Sequence, residues 1–296
     1  MGRIGVKVPV NNLSATDIST EQVRIPISGE ISLLIGDGEG DYPSSRIQKG
    51  PVLIYRNKDL SEEGAGFGVP VLKFGNEAIF PGSKRVTAEK NNDTVVIKID
   101  YDMNLVERMA IRGNKKINSR AFYKIKEWFH GLHRDHPGAR GILMPAFKTV
   151  SRICDTETRF DEVVSAGFIC MKYTINLKAS TVSVSVDISR VKKNGCSEVI
   201  ILNEQGATCF DRYCDSNGVS LTEEAIGTWD ETSADKASFV DSRDGIEFTL
   251  KRIAGSRMLR GREFTESHLA WSGLAYVLPP HTVHFAYGIH IGSTRT

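Results

Sequence analysis

A chain of 296 residues, 40% apolar and 25% charged, is long enough to bury a substantial core and has a globular composition. Its formal charge of +2 gives no field that would single out nucleic acid or an acidic partner. No apolar run reaches the ~20 residues that a membrane helix needs, so neither a nucleic-acid nor a membrane role is expected.

The first residues, MGRIGVKVPVNNLS, lack the apolar stretch of a secretory signal, and Val6 stands where a myristoylation motif needs Ser or Thr. A short strand-like VKVPV is followed by strands at Val23–Ile27 and Ile31–Ile35, broken at Ser28-Gly29. The segment GDGEGDYPSS (36–45) lacks the closing Glu of a calcium loop and reads as a solvated turn. Gly50–Ser83 is the densest stretch, with strands at Val52–Tyr55, Val69–Phe74 and Glu77–Phe80 and a Gly75-Asn76 turn. Between the first two lies an acid pair, Glu62 and Glu63, then Gly64, Gly66 and Gly68. These glycines are not a dinucleotide loop, because strand and not helix follows them.

Thr94–Tyr101 and Leu105–Ile111 read as two strands joined by a turn at Asp102–Asn104. A single long helix is expected over Ser119–Arg134, with Phe122, Ile125, Phe129 and Leu132 on one face and Pro137-Gly138 ending it. Beyond Phe147 the pattern is β. Val182, Val184, Val186 and Ile188 alternate with Ser183, Ser185 and Asp187, and Tyr173–Leu177 forms the other arm of a hairpin. Strands follow at Glu198–Asn203, Cys209–Cys214, Ser238–Ser242, Ile246–Ile253, Leu269–Leu278 and Val283–Ile291, with a polar loop at Thr222–Asp235. About a dozen strands at 8–12-residue spacing predict an all-β fold, a large antiparallel sandwich of the super-sandwich type. We expect a single domain over 1–296 with a helical insertion at about 118–136.

The cysteines, Cys154, Cys170, Cys196, Cys209 and Cys214, are odd in number and irregularly spaced, as in reduced cytoplasmic thiols. All histidines fall in two groups, His130, His133 and His136 at the end of the helix and His268, His281, His284 and His290 near the C-terminus. In Val283–Ile291, Phe285, Tyr287, Ile289 and Ile291 face one way and His284, Ala286, Gly288 and His290 the other. That polar face makes His284 an acid/base candidate with Glu62 or Glu266 as partner, since sugar chemistry commonly needs one group to give a proton and one to take it. Arg56, Glu63, His268 and His290 are the ligand-binding candidates. The histidine spacings form no metal signature, and neither metal nor cofactor is expected.

The closing segment, LAWSGLAYVLPPHTVHFAYGIHIG, resembles the last strands of the galactose-mutarotase-like super-sandwich families. The resemblance covers about Ile31–Ile291 and is one of architecture; the Asn-His-x-Tyr-Phe-Asn segment is missing and no histidine precedes position 130. It implies a protein that binds or transforms carbohydrate, by epimerase-, mutarotase-, lyase- or hydrolase-like chemistry, with a sugar or other small polar ligand as partner. Two other readings stand beside it. One is a cupin-like metal-dependent enzyme, which also explains histidines on C-terminal strands. The other is a non-catalytic assembly protein forming a homo-oligomer through its sheet edges.

Overall fold

The computed structural model describes residues 7–8, 16–17, 22–36, 46–75, 77–111, 156–179, 181–264 and 270–293. In chain order the first strands are β1 (Lys7–Val8), β2 (Thr16–Asp17), β3 (Gln22–Ser28), β4 (Ile31–Ile35), β5 (Val52–Tyr55), β6 (Lys58–Asp59) and β7 (Gly66–Phe74). Next come β8 (Glu77–Asn91), β9 (Thr94–Ile111), β10 (Thr156–Glu162), β11 (Gly167–Asn176), β12 (Thr181–Val191), β13 (Glu198–Gly206) and β14 (Arg212–Asp215). The last are β15 (Ser220–Thr222), β16 (Asp230–Thr232), β17 (Lys236–Val240), β18 (Ile246–Lys251), β19 (Arg257–Phe264), β20 (Ala270–Leu278) and β21 (His284–Ser293).

Strands β1, β3, β4, β5 and β6 form a small sheet, and the rest form one sheet of 16 strands. All pairings are antiparallel except β1 with β3. The expected all-β sandwich is what the chain forms. The large sheet supplies both its layers by curling over: β20 and β21 stand seven places apart in strand order, yet Tyr276 of β20 packs on Phe285 and Tyr287 of β21, with centroids at 5.1 and 5.0 Å. Likewise Phe67 of β7 meets Phe248 of β18 edge to face at 5.3 Å. The inner faces of both sheets share one hydrophobic cluster, which includes Val23, Leu33 and Leu53 of the small sheet.

The alternation read in β12 and β21 is realised. Val182, Val184, Val186, Tyr287, Ile289 and Ile291 are buried, while Ser183, Ser185, His284 and His290 are exposed. One turn is corrected. Asp102–Asn104 does not break a hairpin but lies inside β9, which runs unbroken for 18 residues. Met103 is fully buried there and Asn104 accepts a bond from Gly82 N at 3.1 Å, so these polar residues belong to the half-solvated face of a strand. The strand β19 has no counterpart in the expected elements. The expected helix, with His130, His133 and His136, lies outside the described residues. No helix among the described residues is long and apolar enough to cross a membrane.

Candidate functional site

Strand β13 begins as an ordinary core strand, with Val199 and Ile201 fully buried, and then runs Asn203-Glu204-Gln205-Gly206, all buried. A polar run inside a sandwich calls for hydrogen-bond partners, and residues 53–68 supply several of them, while Gln205 Nε2 is buried without one. Gln205 Oε1 accepts from Leu53 N at 3.0 Å, Glu204 Oε2 from Ala65 N at 3.0 Å and Asn203 Oδ1 from Gly68 N at 3.2 Å. Gly206 N donates to Leu60 O at 2.8 Å. Asn203 Oδ1 also accepts from Tyr287 Oη at 2.9 Å, which ties the grip to the opposite layer.

Of the glycines between Glu63 and Val69, Gly64 lies against β13, Gly66 against Gly50 and Gly68 against β11. A Cβ on Gly64 would lie 2.8 Å from the Gln205 backbone. Gly68 has φ +76°, and a Cβ there would lie 2.3 Å from Tyr173 Oη, which donates to Phe67 O at 2.7 Å. Close approach of backbone at Gly64 and Gly66 and of the Tyr173 side chain at Gly68 accounts for them.

Glu204 is set apart from its neighbours by direction. It shares the outer face of the sheet with Trp271 and Gly273, while Asn203, Gln205, Leu274 and Tyr276 turn inward. Gly273 is its partner on β20, and a Cβ at that position would fall 2.9 Å from Glu204 Cγ. Gly273 pairs in turn with Gly261 of β19, and Trp271 pairs with Glu263. A Cβ on Gly261 would meet the Trp271 ring at 2.9 Å and Trp229 N at 2.8 Å. The missing side chains at 273 and 261 therefore let Glu204 and Trp271 each lie over the next strand. The Trp271 and Trp229 rings stack at 4.5 Å and 16°. Trp229 is held at φ +62°, the left-handed region that bulky residues seldom enter.

The charges around Glu204 bias its proton. Burial pushes its carboxyl up to about 7; the Ala65 N–H and Lys49 oppose the shift and Glu263 adds to it. Burial lowers the Lys49 ammonium, against the pull of Asp59, Glu204 and Glu63. Lys49 Nζ donates to Glu62 O at 2.8 Å. A carboxyl that titrates near neutrality, with a second carboxylate, an ammonium and an indole pair close by, can give and take a proton at physiological pH.

The expected site residues divide into three groups. Glu62 and Glu63 border this face. Glu62 has φ +45° and its carboxylate accepts from Thr208 N at 3.2 Å, while its carbonyl, not its acid, holds Lys49. Glu266 and His268 lie outside the described residues, in the stretch 265–269 that joins β19 to β20. Arg56, His284 and His290 lie elsewhere. Arg56 is exposed, paired with Glu30 and set over the Tyr55 ring at 5.0 Å. His284 is 74% exposed with Nδ1 at 3.7 Å from Asp187 Oδ1, and His290 is exposed between Thr181 and Thr249. No hydrogen bond or ion pair joins His284 to Glu62. Among the described residues no group of three or more His, Cys, Asp or Glu could hold a metal ion. Glu204, Glu263, Lys49 and the tryptophans were not expected from the sequence. The available signal was Asn-Glu-Gln closing an apolar strand, together with single glycines inside β19 and β20.

No protein-family model matches the chain, and no curated protein matches it. Among solved structures it is similar to an α-N-acetylgalactosaminidase from Bifidobacterium bifidum, with TM-score 0.45 and 8% identity over 91% of this chain and 36% of that one. It is also similar to the Slr1438 protein from Synechocystis, with TM-score 0.41 and 7% identity over 95% and 99% of the two chains. A GH36 α-galactosidase, AgaB from Geobacillus stearothermophilus, gives TM-score 0.39 and 8% identity over 94% and 41%. The chain thus spans about a third of the first protein and less than half of the third. The class of protein defined here is a large antiparallel β-sandwich, and its likeness to these structures is a coarse one of architecture.

Proposed function

We propose that the protein binds carbohydrate and performs acid/base chemistry on it at the outer face of β13, β20 and β19. The observation that carries this reading is Glu204, a buried carboxyl acted on by a second carboxylate, Glu263, on the sheet face that also carries Trp271. Ring opening, epimerisation, elimination and glycoside hydrolysis all need a group that donates a proton to a sugar oxygen and another that accepts one. Glu204 in its neutral form is the donor. Glu263 is the acceptor, and Lys49 steadies negative charge as it develops. Glu62 and Glu63 edge the site.

The rival explanation of Glu204 is structural, because its carboxylate already accepts from Ala65 N. Glu204→Gln separates the two, since the amide oxygen keeps that bond and the proton donor is lost. The experiment is a thermal-shift and calorimetric screen against neutral, amino, acidic and phosphorylated sugars, then assay of the hits. Binding with a Glu204→Gln turnover at least ~100-fold down and an unchanged fold is expected. No response to any sugar would overturn the reading. A site on the β21 face, with His284 as its base, would instead lose activity in His284→Ala, where the Glu204 reading expects none lost.

A further inference from the structure

The Trp229–Trp271 pair takes no part in proton transfer, yet its construction is costly. Trp229 occupies a left-handed backbone that a bulky residue enters only when its surroundings force it. Gly261 has no side chain under the Trp271 indole, and even a methyl group would collide with the ring and with Trp229 N. Both tryptophans nevertheless stay partly exposed. A pair made only to fill a core would be covered.

Its position ties it to Glu204. A Cβ on Gly273 would touch Glu204 Cγ at 2.9 Å, and a Cβ on Gly261 would touch the Trp271 ring at the same distance. These two glycines are directly opposite one another, and Cβ positions of such pairs are ~5 Å apart. Glu204 and Trp271 therefore stand on one face of the neighbouring strands β13 and β20. The C–H face of a pyranose is apolar and lies flat on an indole while its hydroxyls project sideways to polar groups. The charges that act on Glu204 and Lys49 are those of the acids Asp59, Glu63 and Glu263 against the one ammonium. That balance disfavours an anionic substituent.

We propose that an uncharged pyranose stacks on the Trp229–Trp271 pair, which positions it against Glu204, and that the site rejects phosphorylated and uronic sugars. This rests on the carbohydrate reading of Glu204. The test is titration of the intact protein with matched neutral, 6-phosphorylated and uronate hexoses, read by calorimetry and by indole fluorescence. Neutral hexoses are expected to bind at least tenfold tighter than their anionic counterparts. Trp271→Ala should weaken that binding at least tenfold, Trp271→Phe should restore most of it, and His284→Ala, on the exposed face of β21, should leave it unchanged. Gly261→Ala, which keeps both tryptophans but displaces them, should weaken binding in the same direction. Wild-type affinity in folded Trp271→Ala or Gly261→Ala, or tighter binding of an anionic sugar, would overturn the proposal while leaving the carbohydrate reading intact. Failure of every sugar to bind the wild type would overturn both.

Discussion

Glu204 makes stability depend on pH in an unusual direction. Its carboxyl is moved from 4.5 to about 7 on folding, so the folded chain holds a proton that the unfolded chain releases. The stabilisation this gives is complete below the unfolded value and is lost as pH rises through the folded one. A shift of that size corresponds to about 3 kcal/mol. Glu204→Gln should therefore flatten the melting temperature between about pH 4.5 and 7 and melt no lower than wild type at pH 8, as scanning calorimetry would show. A variant that keeps the wild-type slope would contradict the burial argument. Asp187 and Asp161 act with the opposite sign. The Ser189 hydroxyl and the Arg159 guanidinium hold them below the usual range, so their contribution is lost as pH falls. The thiols of Cys196 and Cys209 are pushed up by burial, and that of Cys170 up to about 11, which makes all three slow to react.

At the scale of elements, the join between β13 and residues 53–68 is where single substitutions bite. Gly68→Ala meets a left-handed backbone and a Tyr173 hydroxyl at 2.3 Å, whereas Gly75 has φ +58° and open space around its Cβ position. Chemical denaturation should show Gly68→Ala costing about 3 kcal/mol or more and Gly75→Ala only about 1. Equal costs would mean that backbone conformation alone, and not the Tyr173 contact, requires glycine at 68. Tyr287→Phe removes one of two donors to Asn203 Oδ1 and should cost about 1 kcal/mol. Elements with a clean period were legible: β12 and β21 alternate because one face meets the core and the other meets water. β19 was not. Its Arg260 lies over the Tyr213 ring at 5.2 Å and its Arg262 is half-buried, so charged residues occupy positions that a hydrophobic pattern would leave to apolar ones.

The whole molecule depends on its last strand. β21 lies between β18 and β12, and its aromatic side chains close the sandwich against β20. Truncation before His284 should expose two unpaired strand edges and the Tyr276 pocket, and abolish a cooperative melt in calorimetry. Retention of a wild-type transition would show that the two layers hold without it. His284→Ala, which alters only the exposed face of the same strand, should change stability by less than ~0.5 kcal/mol.

The sequence by itself determined the all-β class, most strand positions and the polar face of β21, because alternation and turn chemistry act over a few residues. It also marked 50–83 as unusual without showing why. Tertiary structure alone decided the surroundings of Glu204. Glu204 lies 139 residues from the Ala65 N–H that it bonds, on a strand whose neighbours, β7 and β20, are both distant in sequence. The indole pair depends on glycines in two further strands. Long-range register, which no local pattern encodes, turned a polar strand end into a buried acid beside an aromatic platform.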